Sequence, residues 1–235
     1  MSDSRDDQLN TESDSKEAMI LSEGDLDEYK LAQIGFSPDV IYDIGADVGS
    51  VSLFAHKTHP KAKIVAVEPH DWSYERLAVN VGEIPEIIPV HAAIGQGQMY
   101  EPKEAEPMHW MVVGKDAPTW NANLVETDTP AITLSDLHSQ HGGNNYVVKL
   151  DIEGGEHDII AHAPSRKILL DSSYFAAEFH VWGATREPDA KVSEVLLSFL
   201  FDLSLTHTIY SRAYGACMHV WATRSITHQH VVMKW

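Results

Sequence analysis

Apolar positions along this chain fall into two rhythms. Short, nearly continuous apolar runs read as strands buried on both faces, and the 3.6-residue stripes between them read as helices. The first run is Val40 to Gly45, followed by a helix over Val51 to Lys57. Lys63 to Glu68 forms the second strand, Trp72 to Val81 a helix, and Ile87 to Ile94 the third strand. Thr133 can cap a short helix through Leu137, and Tyr146 to Ile152 is the fourth strand. Then come a helix over His157 to His162, a strand over Tyr174 to His180 and an amphipathic helix over Asp189 to Phe201. Leu205 to Tyr210 and Met218 to Thr223 close the chain as two strands joined by a turn around Tyr214 and Gly215. This alternation predicts an α/β fold: a Rossmann-like, doubly wound, mostly parallel sheet of seven strands with a C-terminal antiparallel hairpin.

Two stretches break the rhythm. Residues 1–20 are polar and charged, too poor in apolar groups to offset the entropy of ordering, and are expected to be a disordered acidic tail. The expected domain is residues 21–235, one unit of ordinary size for an α/β sheet. Within it, Gly95 to Pro130 holds several prolines, Trp110 and Trp120, and is too long for a plain connection. An insertion at about 96–130, folded as a hairpin or lid, is the expectation.

Charge narrows the partners. The chain has 17 Lys and Arg against 35 Asp and Glu, a formal charge of −18. The stretch from Met1 to Glu28 holds ten acids and two bases, which leaves the remainder at about −10. Binding to nucleic acid draws on Lys and Arg neutralising phosphates, so no nucleic acid partner is expected. Cys217 is the single cysteine, which excludes an intrachain disulfide and suits a small packed apolar residue. No window approaches the roughly 20 apolar residues of a membrane span, and the chain opens without an apolar leader. A cytoplasmic location away from membranes is expected.

The most informative motif ends the first strand: Asp43-Ile44-Gly45-Ala46-Asp47-Val48-Gly49. Gly45 and Gly49 allow a tight turn at the strand's carboxyl end, where open α/β sheets hold nucleotides. A dinucleotide fingerprint would place a second glycine against the pyrophosphate, but Asp47 stands there. That carboxylate counts against a nicotinamide-dependent reductase. It favours a ligand with adenosine, no phosphate and cationic groups, and S-adenosyl-L-methionine (SAM) has both a sulfonium and an ammonium. Asp43, Gly45, Ala46, Asp47 and Gly49 are therefore candidate cofactor residues. Glu68, 23 residues after Gly45, can accept hydrogen bonds from both ribose hydroxyls. His91, at the end of the third strand, is placed beside the adenine.

A second charged element is Lys149-Leu150-Asp151-Ile152-Glu153-Gly154-Gly155-Glu156-His157. Strand alternation puts Lys149, Asp151 and Glu153 on one face, and burial demands that Lys149 contact Asp151 or Glu153. On the next strand Glu178 and His180 share a face, with Trp182 just beyond. Asp151, Glu153, Glu178 and His180 could also hold a divalent metal.

The succession Asp-Ile-Gly-Ala-Asp-Val-Gly, Val-Glu-Pro, Ile-Thr-Leu-Ser-Asp-Leu and Lys-Leu-Asp-Ile-Glu-Gly-Gly-Glu, between about Val40 and His180, resembles the FkbM-type SAM-dependent methyltransferases. The resemblance implies that Asp43, Gly45, Gly49 and Glu68 bind SAM and that Asp151, Glu153 and Glu156 lie at the active site. Two positions depart from the family pattern: Asp47 replaces its more frequent Asn, and Gly155 its Ala. The implied reaction is methylation of a hydroxyl on a small molecule or glycan, with the acceptor about 3 Å from the methyl and in line with it. Asp151, His180, Lys149 and Glu153 are the candidate catalytic residues, Asp151 or His180 as base and Asp151 also touching the cofactor. The competing expectation is a SAM-binding module without catalysis.

Overall fold

The computed structural model describes residues 27–102, 112–114, 124–180, 190–214 and 217–225. The sequence-predicted tail over residues 1–20, Trp110, Trp120 and Trp182 lie outside them. The strands are β1 (Val40–Ile44), β2 (Lys63–Glu68), β3 (Ile87–His91), β4 (Ala93–Ile94), β5 (Gln98–Pro102), β6 (Val112–Gly114), β7 (Leu124–Glu126), β8 (Ala131–Ile132), β9 (Tyr146–Leu150), β10 (Tyr174–His180), β11 (His207–Tyr214) and β12 (Cys217–Arg224). The helices are α1 (Ser50–Thr58), α2 (Asp71–Val81), α3 (Leu134–His141), α4 (Glu156–Ala161), α5 (Ala163–Asp171) and α6 (Ala190–Ser204).

Seven strands form one sheet in the order β11-β12-β10-β9-β1-β2-β3. The pairs from β10 through β3 are parallel, and β12 runs antiparallel between β10 and β11. This is the mostly parallel, doubly wound sheet with a closing hairpin that the apolar runs predict. Every residue of β1 and β9 is buried, as central parallel strands require.

Side-chain parity divides the core in two. Tyr42, Ile44, Val148, Leu150, Phe175 and Phe179 face α3 to α6, where Leu137, Ile160, Leu169 and Phe199 meet them. Ile41, Ile64, Ala66, Val147 and Ala176 face α1, α2 and two short 3-10 turns, Asp27–Tyr29 and Leu31–Gln33, with Ala55, Leu77, Tyr29 and Leu31 opposite. The N-terminal turns are pinned across the sheet: the Tyr174 hydroxyl donates to the Tyr29 carbonyl at 2.9 Å and the Trp221 indole to the Glu28 carbonyl at 2.8 Å.

Three boundaries differ from the sequence pattern. The third strand breaks at Ala92, and Ala93–Ile94 pairs in parallel with Ala131–Ile132 outside the main sheet. The predicted insertion carries a three-stranded antiparallel sheet with β5 between β6 and β7. A second helix, α5, starts directly after α4, with Pro164 in its first turn where a missing N–H costs nothing. The Thr133 cap is present, its hydroxyl accepting from the Asp136 N–H at 3.1 Å, and the helix runs on to His141.

Candidate active site

β1 and β9 lie side by side in a register that sets Asp43 directly against Lys149. Both point to the α1–α2 side of the sheet, and neither reaches solvent: their side chains are 0% and 2% exposed. Lys149 Nζ sits 3.2 Å from Asp43 Oδ1 and donates to the Gly45 carbonyl at 2.6 Å, while Ser52 Oγ donates to Asp43 Oδ2 at 2.6 Å. Burial alone would pull the Lys149 pKa down, but the Asp43 and Asp151 carboxylates outweigh it and hold the amine charged. The sequence expectation of a Lys149 contact with Asp151 or Glu153 is therefore corrected. The parallel neighbour, not the next residues of the same strand, supplies the partner.

Beyond Ile44 the chain turns at Gly45 (φ 78°), Asp47 (φ 47°) and Gly49 (φ 95°). A Cβ on Gly45 would stand 1.8 Å from the Asp151 carbonyl oxygen, so only glycine lets the two strand ends close on each other. The turn is tied to the end of β2. The Gly45 and Ala46 N–H groups donate to the Val67 carbonyl, the Asp47 N–H to Glu68 Oε2 and the His70 N–H to Glu68 Oε1. Ser73 Oγ donates to Asp47 Oδ1 at 2.9 Å. Glu68 is buried, and burial pushes its pKa up to about 7 against those two backbone donors. His91 stacks on Tyr74 at 4.3 Å, with Nε2 3.1 Å from both the Pro69 carbonyl and Asp71 Oδ1.

β9 ends at Leu150, two residues before the sequence boundary, so alternation does not govern Asp151 and Glu153. The cause is Glu156, fully buried at the start of α4, whose Oε1 accepts from the Ile152 and Gly154 N–H groups and bends the chain into a turn. Glu153 takes φ 56° there and Gly154 φ 112°. The Asp151 N–H still bonds the Ile44 carbonyl at 3.1 Å, which keeps Asp151 at the mouth of the Gly45 turn. Its carboxylate accepts from the Tyr29 hydroxyl at 2.6 Å, and burial raises its pKa. Burial and the Asp151 charge likewise keep the Tyr29 phenol protonated.

His180, at the end of β10, lies between two carboxylates: Nδ1 is 3.2 Å from Glu156 Oε1 and Nε2 3.3 Å from Glu153 Oε2. Burial disfavours its charge, yet the hydrogen bonds to Glu153 and Glu156 prevail and raise its pKa to about 11. The His180 bond holds Glu153 below the usual carboxylate range. The structure thus gathers Asp43, Gly45, Lys149 and Asp151 at one strand junction, joins Asp47 and Glu68 beside it, and places Glu153, Glu156 and His180 in an adjacent knot. His91, the ladder partner of Glu68 on β3, stacks on Tyr74 at the edge of this corner. Tyr29, Ser52 and Ser73 complete the arrangement and escaped the sequence reading. Tyr29 is 122 residues from its partner and no local pattern marks it. A cavity of about 470 Å³ lies elsewhere, between the insertion and the α4–α5 junction, lined by Gln96, Val113, Thr133, Asp158 and His162, and holds none of these groups.

The donor set fits an adenosine ligand with cationic groups. Glu68 keeps one unused lone pair on each oxygen for hydroxyl donors, and the neighbouring charges are Asp47, Asp151 and a Lys149 already committed to Asp43. A diphosphate would meet carboxylates with no free cation among the residues just named.

The model of the methyltransferase FkbM domain matches residues 43–191. The chain belongs to the FkbM methyltransferase family. Its fold agrees with a Clostridium thermocellum protein assigned as an rRNA methylase, at 9% identity and TM-score 0.52, covering 88% of this chain and 100% of that one. A precorrin-6y C5,15-methyltransferase from Geobacter metallireducens GS-15 is similar at 12% identity and TM-score 0.49, covering 90% and 96%. No curated protein matches the sequence. Membership of the family supports SAM use and methyl transfer. Among the described residues no helix is long and apolar enough to cross a membrane.

Two measurements test this geometry. Lys149→Met leaves Asp43 buried without its cation and lowers unfolding free energy by about 3–5 kcal/mol, whereas adding Asp43→Asn recovers part of that loss; urea denaturation reads both. Glu68 has a folded pKa above its unfolded value, so it favours the fold most below pH about 4.5. This contribution is lost as the pH rises to about 7. Glu68→Gln should flatten the fall in melting temperature over that interval, and an unchanged slope would place the titration elsewhere.

Proposed function

We propose that this chain transfers the methyl group of SAM to a hydroxyl of a small molecule or glycan, with Asp151 as the base. The observation that carries the reading is Asp151 itself: a half-buried carboxylate of raised pKa, fixed by its backbone against the Gly45 turn and by its side chain to Tyr29. The cofactor, when bound, supplies a methyl on a positively charged sulfur, an electrophile that needs no further activation.

The protein's share is orientation and a proton acceptor. The Gly45–Gly49 turn supplies a close backbone surface, and Glu68 accepts from ribose hydroxyls. An alcohol gives up its proton as the new bond forms, and a carboxylate whose pKa is raised by burial is a better acceptor than one in water. Without a metal ion, Glu153 and Glu156 hold His180 charged with both ring nitrogens engaged, which leaves Asp151 rather than His180 as the base. Lys149 acts through position: by fixing the Gly45 carbonyl and Asp43 it sets where the turn lies relative to Asp151. The insertion, and the small sheet within it, is assigned to choosing the acceptor and excluding water. The acidic balance supports a neutral or cationic acceptor over nucleic acid.

The test is transfer of label from methyl-labelled SAM to a panel of hydroxylated metabolites and glycans. Asp151→Asn keeps an acceptor for the Tyr29 hydroxyl and should lower kcat by about a hundredfold or more, with SAM affinity by calorimetry changed less than about threefold. Equal turnover in the variant, or label found only on nitrogen or nucleic acid, overturns the assignment. Tight SAM binding with no product from the folded wild type would leave the non-catalytic binding module.

A further inference from the structure

Beside the Asp151 turn, the antiparallel pair β10–β12 carries a second constellation, which shares His180 with the site described above. The register sets Glu178 opposite His219 and His180 opposite Cys217. Residues two apart on a strand share a face, so four side chains able to bind a metal form a two-by-two patch on the side of the sheet that holds Asp43 and Lys149. The ligand atoms of Glu178, His180 and Cys217 all lie within 4.8 Å of one another.

We infer that Glu178, His180 and Cys217 form a site for a borderline-soft divalent transition ion such as zinc, with a fourth position open toward Glu153. Three observations support it. First, the three donors are one carboxylate oxygen, one imidazole nitrogen and one sulfur, a set that zinc accepts and magnesium or calcium does not. Second, the far atoms of two ligands are already held. His180 Nδ1 faces buried Glu156 at 3.2 Å, which turns Nε2 to the side where Glu153 Oε2 and Glu178 Oε1 stand 3.3 and 3.7 Å away. Glu178 Oε2 faces His219 Nε2 at 3.5 Å, and His219 Nδ1 faces Glu28 Oε1 at 3.3 Å. A metal-bound histidine that gives its other ring N–H to a carboxylate is the support such ligands need. Third, all three ligands are partly shielded on a hydrogen-bonded strand pair, and their donor atoms, within 4.8 Å of one another, stand near the roughly 3.5 Å separations of a tetrahedral ion.

Binding exchanges protons for the ion. The proton on His180 Nε2 and the one on Cys217 Sγ leave to solvent, the metal takes both lone pairs, and no electrons are transferred. Glu153, released from Nε2, is then free to bind the metal or a metal-bound water. The site shares His180 with the methyl-transfer reading, but its test is measured on the protein alone and does not depend on turnover.

The experiment titrates the full-length, chelator-treated protein with zinc by calorimetry and with cobalt by absorption. One ion per chain should bind, with a thiolate-to-cobalt charge-transfer band in the near ultraviolet. Cys217→Ser should abolish that band and weaken zinc binding, and His219→Gln should weaken it by about ten- to a hundredfold while keeping the band. Circular dichroism confirms that each variant folds. Absence of stoichiometric binding, a cobalt spectrum without the sulfur band, or zinc affinity indifferent to Cys217→Ser overturns the inference, as does a magnesium preference carried by the carboxylates.

Discussion

A lysine and an aspartate removed from water hold this structure together at its centre. Each ion alone would lose several kcal/mol of hydration in that position, so neither strand can place its charge without the other. Asp43 on β1 and Lys149 on β9 are direct neighbours in the ladder, and any slip in register would strand both. The amine also takes the Gly45 carbonyl at 2.6 Å, so the same contact that fixes the sheet fixes the turn built on its edge. Fold and site are thus one constraint. The Asp151 carbonyl oxygen, pressed against Gly45, completes the closure.

Around this pair the electrostatics are lopsided. Glu68, Asp151, Glu153, Glu156 and Glu178 gather near one lysine already committed and two histidines. The protein tolerates them by separate means: backbone N–H groups for Glu68 and Glu156, a phenol for Asp151, an imidazolium for Glu153. Apart from Glu156 Oε2, which is buried without a hydrogen-bond partner, these contacts engage the carboxylates but only partly cancel their charge. An arrangement of this kind favours cations over anions, and both the proposed cofactor and the proposed metal ion carry positive charge.

Much of this was legible in the sequence. The Asp43–Gly49 turn, Glu68 at the end of the next strand and the closing hairpin follow from local patterns, and they fall where spacing put them. The misses share a cause in long-range pairing. Lys149 was expected to bind a neighbour on its own strand, but which strand lies beside it is set by topology. The β9 boundary moved because Glu156, four residues ahead of Ile152, captures its N–H, a contact that periodicity does not encode. Tyr29 sits before the first strand with nothing nearby to mark it. The sequence reading of Cys217 as a packed apolar residue lacked its cross-strand neighbour His180.

The N-terminal turns have one more implication. Glu28 meets Trp221 and His219, Tyr29 meets Asp151 and Tyr174, and these contacts join positions 122 to 193 residues apart. Loop closure over such separations is slow and comes late in the assembly of a chain. The junction around Asp151 therefore has no half-built form: until the leading segment has been laid across the sheet, Asp151 lacks its phenol. A ribosome-bound or partly threaded molecule would hold an intact glycine turn beside an unpartnered carboxylate.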